Sequence, residues 1–183
     1  MRAPAIAVYN GRIYLFGGGA SRDEAGALQH RRAQIYDPTT DSWTLGQPGI
    51  SGTGLFSNSS AAVVGNRIYM YQSYDYPLPR NTLWIYDPAT DTYSYGTPGP
   101  VAGCNTPFVA FGSVIYALGG QPSCGSGGTT AVYRYDPSGD SWTPAGTLSR
   151  PMGTRGFGVI RGAIMLTGGT NGAASEFWRP DGK

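Results

Sequence analysis

The sequence predicts an all-β protein made of one repeated sheet unit, and three observations carry that expectation. A short stretch is written three times: Ile35-Tyr36-Asp37-Pro38 runs on to Trp43, Ile85-Tyr86-Asp87-Pro88 to Tyr93, and Arg134-Tyr135-Asp136-Pro137 to Trp142, the second aromatic always seven residues past the Tyr. The copies stand 50 and 49 residues apart, a period that belongs to repeat architectures. The composition agrees, because 29 Gly, 14 Pro and 13 Tyr among 183 residues, with only 13% charged, suit many short strands joined by tight turns and are too aromatic for a disordered chain.

Four segments align through their first halves, and each opens with two strands, a and b. Copy one reads Ile6-Ala7-Val8-Tyr9, turn Asn10-Gly11, Arg12 to Phe16, then Gly17-Gly18. Copy two reads Ala61 to Val64, turn Gly65-Asn66, Arg67 to Tyr71, with Gln72-Ser73 in place of the glycine pair. Copy three reads Phe108 to Phe111, turn Gly112-Ser113, Val114 to Leu118, Gly119-Gly120; copy four reads Phe157 to Ile160, turn Arg161-Gly162, Ala163 to Thr167, Gly168-Gly169. Two-residue turns of this kind supply the positive φ that primed hairpin turns require, so each pair is an antiparallel hairpin. A loop of variable length follows, then strand c with its Tyr. The Asp-Pro ends strand c, since Pro has no N–H for a ladder and pre-sets φ. Thr40-Asp41, Thr90-Asp91 and Gly139-Asp140 complete the turn into strand d, which carries Trp43, Tyr93 or Trp142.

Gly-Gly after a strand, Tyr-Asp-Pro, and an aromatic seven residues later, at a period near 50, resemble the kelch repeat. The resemblance covers essentially the whole chain and implies a kelch-type β-propeller segment: three complete four-stranded blades plus an incomplete fourth, over residues 3–47, 57–97, 104–147 and 153–183 of one partial propeller domain. It implies structural roles for Gly17, Gly18, Gly119, Gly120, Gly168 and Gly169, which let strands of neighbouring blades approach, and for Tyr36, Trp43, Tyr86, Tyr93, Tyr135 and Trp142, which fill the space between blades. Trp43→Ala and Trp142→Ala are accordingly expected to be severe. Copy two departs at Gln72-Ser73 and copy four at Phe177-Trp178-Arg179-Pro180, so looser packing is expected there. Strand d of the fourth blade is missing from the count. Completion of the ring by further blades, another chain or self-association is therefore expected, with a four-bladed ring as the competing possibility.

In such a blade the b–c loop and the lead into strand a share one face, and the a–b and c–d turns share the other. From glycine position to strand-c aromatic the spacing is 19, 14, 16 and 10 residues, so variation is confined to the first face, where binding residues concentrate. Its loops bring His30 and Arg31, Tyr74, Tyr76 and Arg80, and the glycine-rich Gln121 to Gly128. At the channel lip the aligned positions are Pro4, Ser59, Thr106 and Arg155. The resemblance gives Arg155 a role, because family members often place there a pore-facing arginine that holds an acidic group. The plainer alternatives are a solvated arginine and tyrosines that pack their own loops.

Other classes find little support. A net charge of +2 names no nucleic-acid partner, and no apolar run is long enough for a membrane span. No metal constellation or cofactor motif is present: kelch-fold copper oxidases use two His and two Tyr, whereas His30 is the only histidine. Cys104 and Cys124 fall on one face of one repeat, where a disulfide can form; if formed, it points to an oxidising, extracellular or periplasmic setting. The expected function is a non-catalytic binding or scaffold module for a protein, peptide or glycan. The alternative is the propeller part of a carbohydrate-active enzyme of sugar mutarotase or oxidase type.

Overall fold

The computed structural model describes residues 4–18, 32–49, 59–75, 78–101, 104–123, 125–154, 156–169 and 175–180, and every regular element among them is a strand. They form four antiparallel sheets, each wound in chain order, which are the four blades of a propeller. Blade 1 holds β1 (Ala5–Tyr9), β2 (Arg12–Phe16), β3 (Arg32–Asp37) and β4 (Ser42–Pro48); blade 2 holds β5 (Ser60–Val64), β6 (Arg67–Asp75), β7 (Leu78–Asp87) and β8 (Thr92–Gly96). Blade 3 holds β9 (Phe108–Phe111), β10 (Val114–Leu118), β11 (Thr129–Asp136) and β12 (Ser141–Met152). The described part of blade 4 is three-stranded: β13 (Gly156–Ile160), β14 (Ala163–Thr167) and β15 (Ser175–Trp178).

The turn chemistry acts as the sequence predicts. Asn10 and Gly11 have φ of 48° and 74°, Arg161 and Gly162 48° and 72°, and Gly65 and Gly112 provide the positive φ in the other two hairpins. After each Tyr-Asp-Pro the first Asp accepts the amide two residues on, Asp37 from Thr39 at 2.9 Å, Asp87 from Ala89 at 3.0 Å and Asp136 from Ser138 at 3.0 Å, a side-chain mimic of a backbone turn. The Thr39 and Ser138 hydroxyls, then these amides, hold the carboxyls of Asp37 and Asp136 below the usual range. The second Asp of each turn, Asp41, Asp91 or Asp140, sits at φ of 49°, 53° or 43° and accepts the hydroxyl of its own Tyr at 2.7 Å.

The inner strands lie side by side in order, β1 against β5, β5 against β9 and β9 against β13. Because side chains alternate across a strand, each sheet has two faces, and three apolar clusters fill the spaces between them. Blades 1 and 2 share Ala5, Ala7, Tyr14 and Phe16 with Ile68, Met70, Trp84 and Tyr86. Blades 2 and 3 share Ala62, Tyr69, Tyr71 and Leu83 with Phe108, Ile115, Ala117 and Tyr135. Blades 3 and 4 share Val109, Tyr116, Leu118 and Leu148 with Ile164, Leu166 and Trp178. No cluster among the described residues joins blade 4 to blade 1.

Four sequence expectations need correcting. Tyr74 to Arg80 is not a loop leaving strand b: β6 runs through Gln72-Ser73 to Asp75 and returns as β7, with Tyr74 opposite Pro79 and Asp75 opposite Leu78. The other three blades stop strand b with glycine pairs at positive φ, such as Gly17 at 67° and Gly18 at 94°. Gln and Ser disfavour that conformation, so the strand continues. The blade 3 glycines also close on their own blade rather than a neighbour, since a Cβ on Gly119 would run into the Met152 carbonyl and one on Gly120 into Thr106, while Gly168 has open space around it. Blade 4 is not loose on its inner face: Trp178 pairs with Ile164 as Tyr135 does with Ile115, is 9% exposed, and meets Tyr116 at 5.0 Å. Finally, Trp43 is not between blades but 55% exposed, because it points away from blade 2.

Candidate functional site

The two faces of the propeller differ. On the turn face all a–b hairpins have two-residue turns, and the three c–d turns described share one geometry. On the other face the b–c connections described take unrelated forms: a hairpin extension in blade 2 and an anchored loop in blade 3.

The loop of blade 3 is built on Gln121. Its backbone pairs with Cys104 in both directions, Cys104 N–H to Gln121 O at 2.7 Å and Gln121 N–H to Cys104 O at 2.8 Å. Its side chain is 1% exposed, accepts from Asn105 Nδ2 at 2.6 Å and donates to the Ser126 carbonyl at 2.5 Å. A buried amide must be satisfied at both ends, and here both ends bind backbone-fixing partners. Ser126 closes the tip by donating to the Ser123 carbonyl at 2.7 Å. Pro122, Ser123, Gly125 and Gly127 are left exposed on a fixed frame. Sequence reasoning missed Gln121 and Asn105. The available signals were a Gln directly after Gly-Gly and an Asn, at φ 55°, directly before the Thr-Pro that opens strand a.

The lead-in segments of successive blades are tied together around the lip. Ser60 Oγ donates to Thr106 O at 2.9 Å, and Thr154 N–H donates to Asn105 O at 3.0 Å. In blade 2 the lead-out is pinned instead by Tyr71, whose hydroxyl donates to Val101 O, and by Asn81 Nδ2 to Gly99 O at 2.6 Å. Burial pushes the Tyr71 hydroxyl well above its usual range, so it remains a donor at any physiological pH.

Of the residues expected to bind, Ser59 and Thr106 are buried, at 9% and 1% exposure. Thr106 at the lip is thereby corrected from open to buried: its hydroxyl lies against Gly120, where no Cβ intervenes, and has no hydrogen-bond partner among the described residues. Tyr74 and Arg80 lie on the two arms of the blade 2 hairpin. His30, Arg31, Tyr76 and Arg155 lie outside the described residues. Cys104 is disulfide-bonded; the other half of the expected pair, Cys124, also lies outside the described residues.

The turn face carries a concavity of about 330 Å³ between blades 1 and 2, lined by Tyr9, Arg12, Tyr14, Asp37 and Ala89 among others. Its polar groups largely satisfy one another, with Arg12 Nε on Asp37 at 2.9 Å and the Tyr9 and Tyr14 rings edge to face at 6.4 Å. The same two positions pair again in blade 2, Arg67–Asp87 at 3.9 Å, whereas in blade 3 Val114 replaces the arginine and Asp136 meets Arg134 of its own strand at 3.1 Å.

Comparison with known proteins agrees with this geometry. The sequence profile of the Kelch motif matches residues 2–49 and 102–149, together more than half of the chain. A solved kelch-type propeller described as "Structure of YjhT" superposes with a TM-score of 0.71 at 18% identity, over 91% of this chain and 58% of that one. This chain thus spans less than two thirds of that neighbour. The two profile matches fall on blades 1 and 3, whose Tyr-Asp-Pro turns, glycine pairs and seven-residue aromatic spacing are the most regular. The chain belongs to the kelch-repeat family.

Proposed function

We propose that this chain is a binding module that presents the b–c connections and channel lip of its blades to a protein, peptide or glycan, in a ring completed by further blades, another chain or self-association. One observation carries the reading: the turn face keeps two-residue a–b turns in all four blades and one c–d turn geometry in the three described, while the two b–c connections described on the opposite face differ in form. A rigid scaffold with diversified connections on one side is the usual arrangement for recognition. The buried Gln121 frame supports it further, because a pre-set loop loses little conformational entropy on binding.

The test is panning of glycan arrays and peptide libraries on the intact protein, alongside assays of oxidase and sugar-mutarotase turnover. Replacing the hairpin tip from Tyr74 to Arg80 with Gly/Ser is expected to abolish a captured ligand and leave the melting curve nearly unchanged. Turnover abolished by Arg155→Ala would overturn the reading in favour of an enzyme.

A further inference from the structure

Two interior interfaces show how one blade of this molecule receives another. Between blades 1 and 2, Asp91 takes the Tyr86 hydroxyl on Oδ1 at 2.7 Å and the Gln47 amide, at the end of β4, on Oδ2 at 2.7 Å. Between blades 2 and 3, Asp140 takes the Tyr135 hydroxyl and the Thr97 amide, directly after β8, both at 2.7 Å, and Trp142 Nε1 donates to Thr97 O at 2.9 Å. In both cases a glycine precedes the docked amide, and a Cβ on Gly46 or Gly96 would come within 2.6 Å of Asp91 Oδ1 or 2.8 Å of Leu83 Cδ2. The rule is a Tyr–Asp pair on the receiving blade and a Gly-x end of strand d on the arriving one. Each amide-to-carboxylate bond is of the stronger, charge-assisted kind.

Blade 1 has the receiving half, fully formed and uncovered. Tyr36 donates to Asp41 at 2.7 Å, and Trp43 lies 5.0 Å from Tyr36, against 5.1 Å for Trp142 and Tyr135. Ile6, Val8, Trp43 and Leu45 occupy this same face, opposite or beside Leu15, Ile13, Tyr36 and Gln34, and all four are more than half exposed. Among the described residues, no strand-d amide reaches Asp41. An apolar patch of this kind beside a preset acceptor marks an interaction surface.

We infer that the outer face of blade 1 receives a complete four-stranded blade from outside these 183 residues, through a Gly-x amide at the end of its strand d held by Asp41 and a carbonyl held by Trp43 Nε1. The described residues of a second copy do not supply this complement. The strands d of blades 1, 2 and 3 are already covered by the blades that follow them, and the described part of blade 4 ends at strand c. Blade 4 moreover joins blade 3 by another device, Ser149 N–H to Glu176 Oε1 at 2.6 Å. The arc also superposes on little more than half of a longer propeller chain, which leaves room for additional blades in the ring. The inference sharpens the ring-completion part of the proposed function and stands apart from what the loop face binds, so an empty glycan or peptide screen does not touch it.

The test uses the 183-residue chain and a fusion that places a second copy of residues 59–103, which ends in the Gly96-Thr97 segment, ahead of Met1. Acrylamide quenching of Trp43 is read as the difference between each protein and its Trp43→Phe variant. The fusion is expected to lower the Trp43 quenching constant at least threefold and to melt several degrees higher than the chain, a gain that Asp41→Gly in the fusion removes. Unchanged Trp43 accessibility in a folded fusion would overturn the inference. Independently of the fusion, Asp41→Gly in the 183-residue chain, which removes the carboxylate and keeps the positive φ of that position, is expected to leave the melt within about a degree, while Asp140→Gly lowers it by several. Equal falls, or a concentration-dependent dimer in sedimentation that Trp43→Asp abolishes, would mean that the face is already occupied by this chain or its copy, and would overturn the proposal.

Discussion

Blades 1 and 3 carry the same three side chains in the same arrangement and differ in what lies against them. Tyr36, Asp41 and Trp43 reproduce Tyr135, Asp140 and Trp142 down to the 2.7 Å hydroxyl-to-carboxylate bond and the ring separation. Yet Tyr135 is buried where Tyr36 is half-buried, and Trp142 is half-buried where Trp43 is 55% exposed. The motif therefore encodes a geometry internal to its own blade, and the neighbouring blade decides how much that geometry stabilises.

The largest expected contrast is truncation of the ring. Tyr135→Ala removes a fully buried aromatic and should cost roughly 3–5 kcal/mol, whereas Tyr36→Ala, on the open face, should cost less than about 1 kcal/mol. Urea melts of the two variants decide it, and equal losses would break the comparison. Next is the glycine pair. Gly119→Ala meets both positive φ and the Met152 carbonyl and should cost roughly 3 kcal/mol, while Gly11→Ala, with open space around it, should show only the conformational cost of about 1 kcal/mol. The same melts read both.

A finer contrast removes one oxygen. Tyr86→Phe leaves Asp91 without its hydroxyl donor at a closed interface and should lose about 1.5 kcal/mol, and Tyr36→Phe a few tenths. The smallest effect is in pH. Burial by itself would raise the Asp140 carboxyl, but the Thr97 amide and the Tyr135 hydroxyl outweigh it and the net shift is downward. A carboxyl held low in the folded state adds stability above the ordinary Asp range, near 4, and loses it as pH falls through that range and below. Asp140→Asn should therefore flatten the acid limb of a stability–pH curve and leave the curve parallel to wild type at neutral pH.

Much of this was legible in the residues because it is local. Asn10-Gly11, Asp37-Pro38 and the glycine pairs act through φ preferences and i to i+2 hydrogen bonds, which need no knowledge of the fold. Gln72-Ser73 lacks the glycine stop signal, and the residues alone fit either looser packing or a longer strand; the pairing of Tyr74 with Pro79 and Asp75 with Leu78 decides for the longer strand. Thr106 and Gln121 were not legible in the same way. Each is a polar side chain in a loop-like stretch, and only the pairing of Cys104 with Gln121 and the bareness of Gly120 place them in the interior.

By itself the sequence determined the family, the four-stranded unit and the turn chemistry, because each is set by contacts within about fifty residues of chain. Which aromatic is buried, which carboxylate is held from two sides and which face stands open were decided only by the tertiary structure. Those properties belong to pairs of blades, and the Tyr–Asp–Trp motif reads identically whether or not a partner is pressed against it.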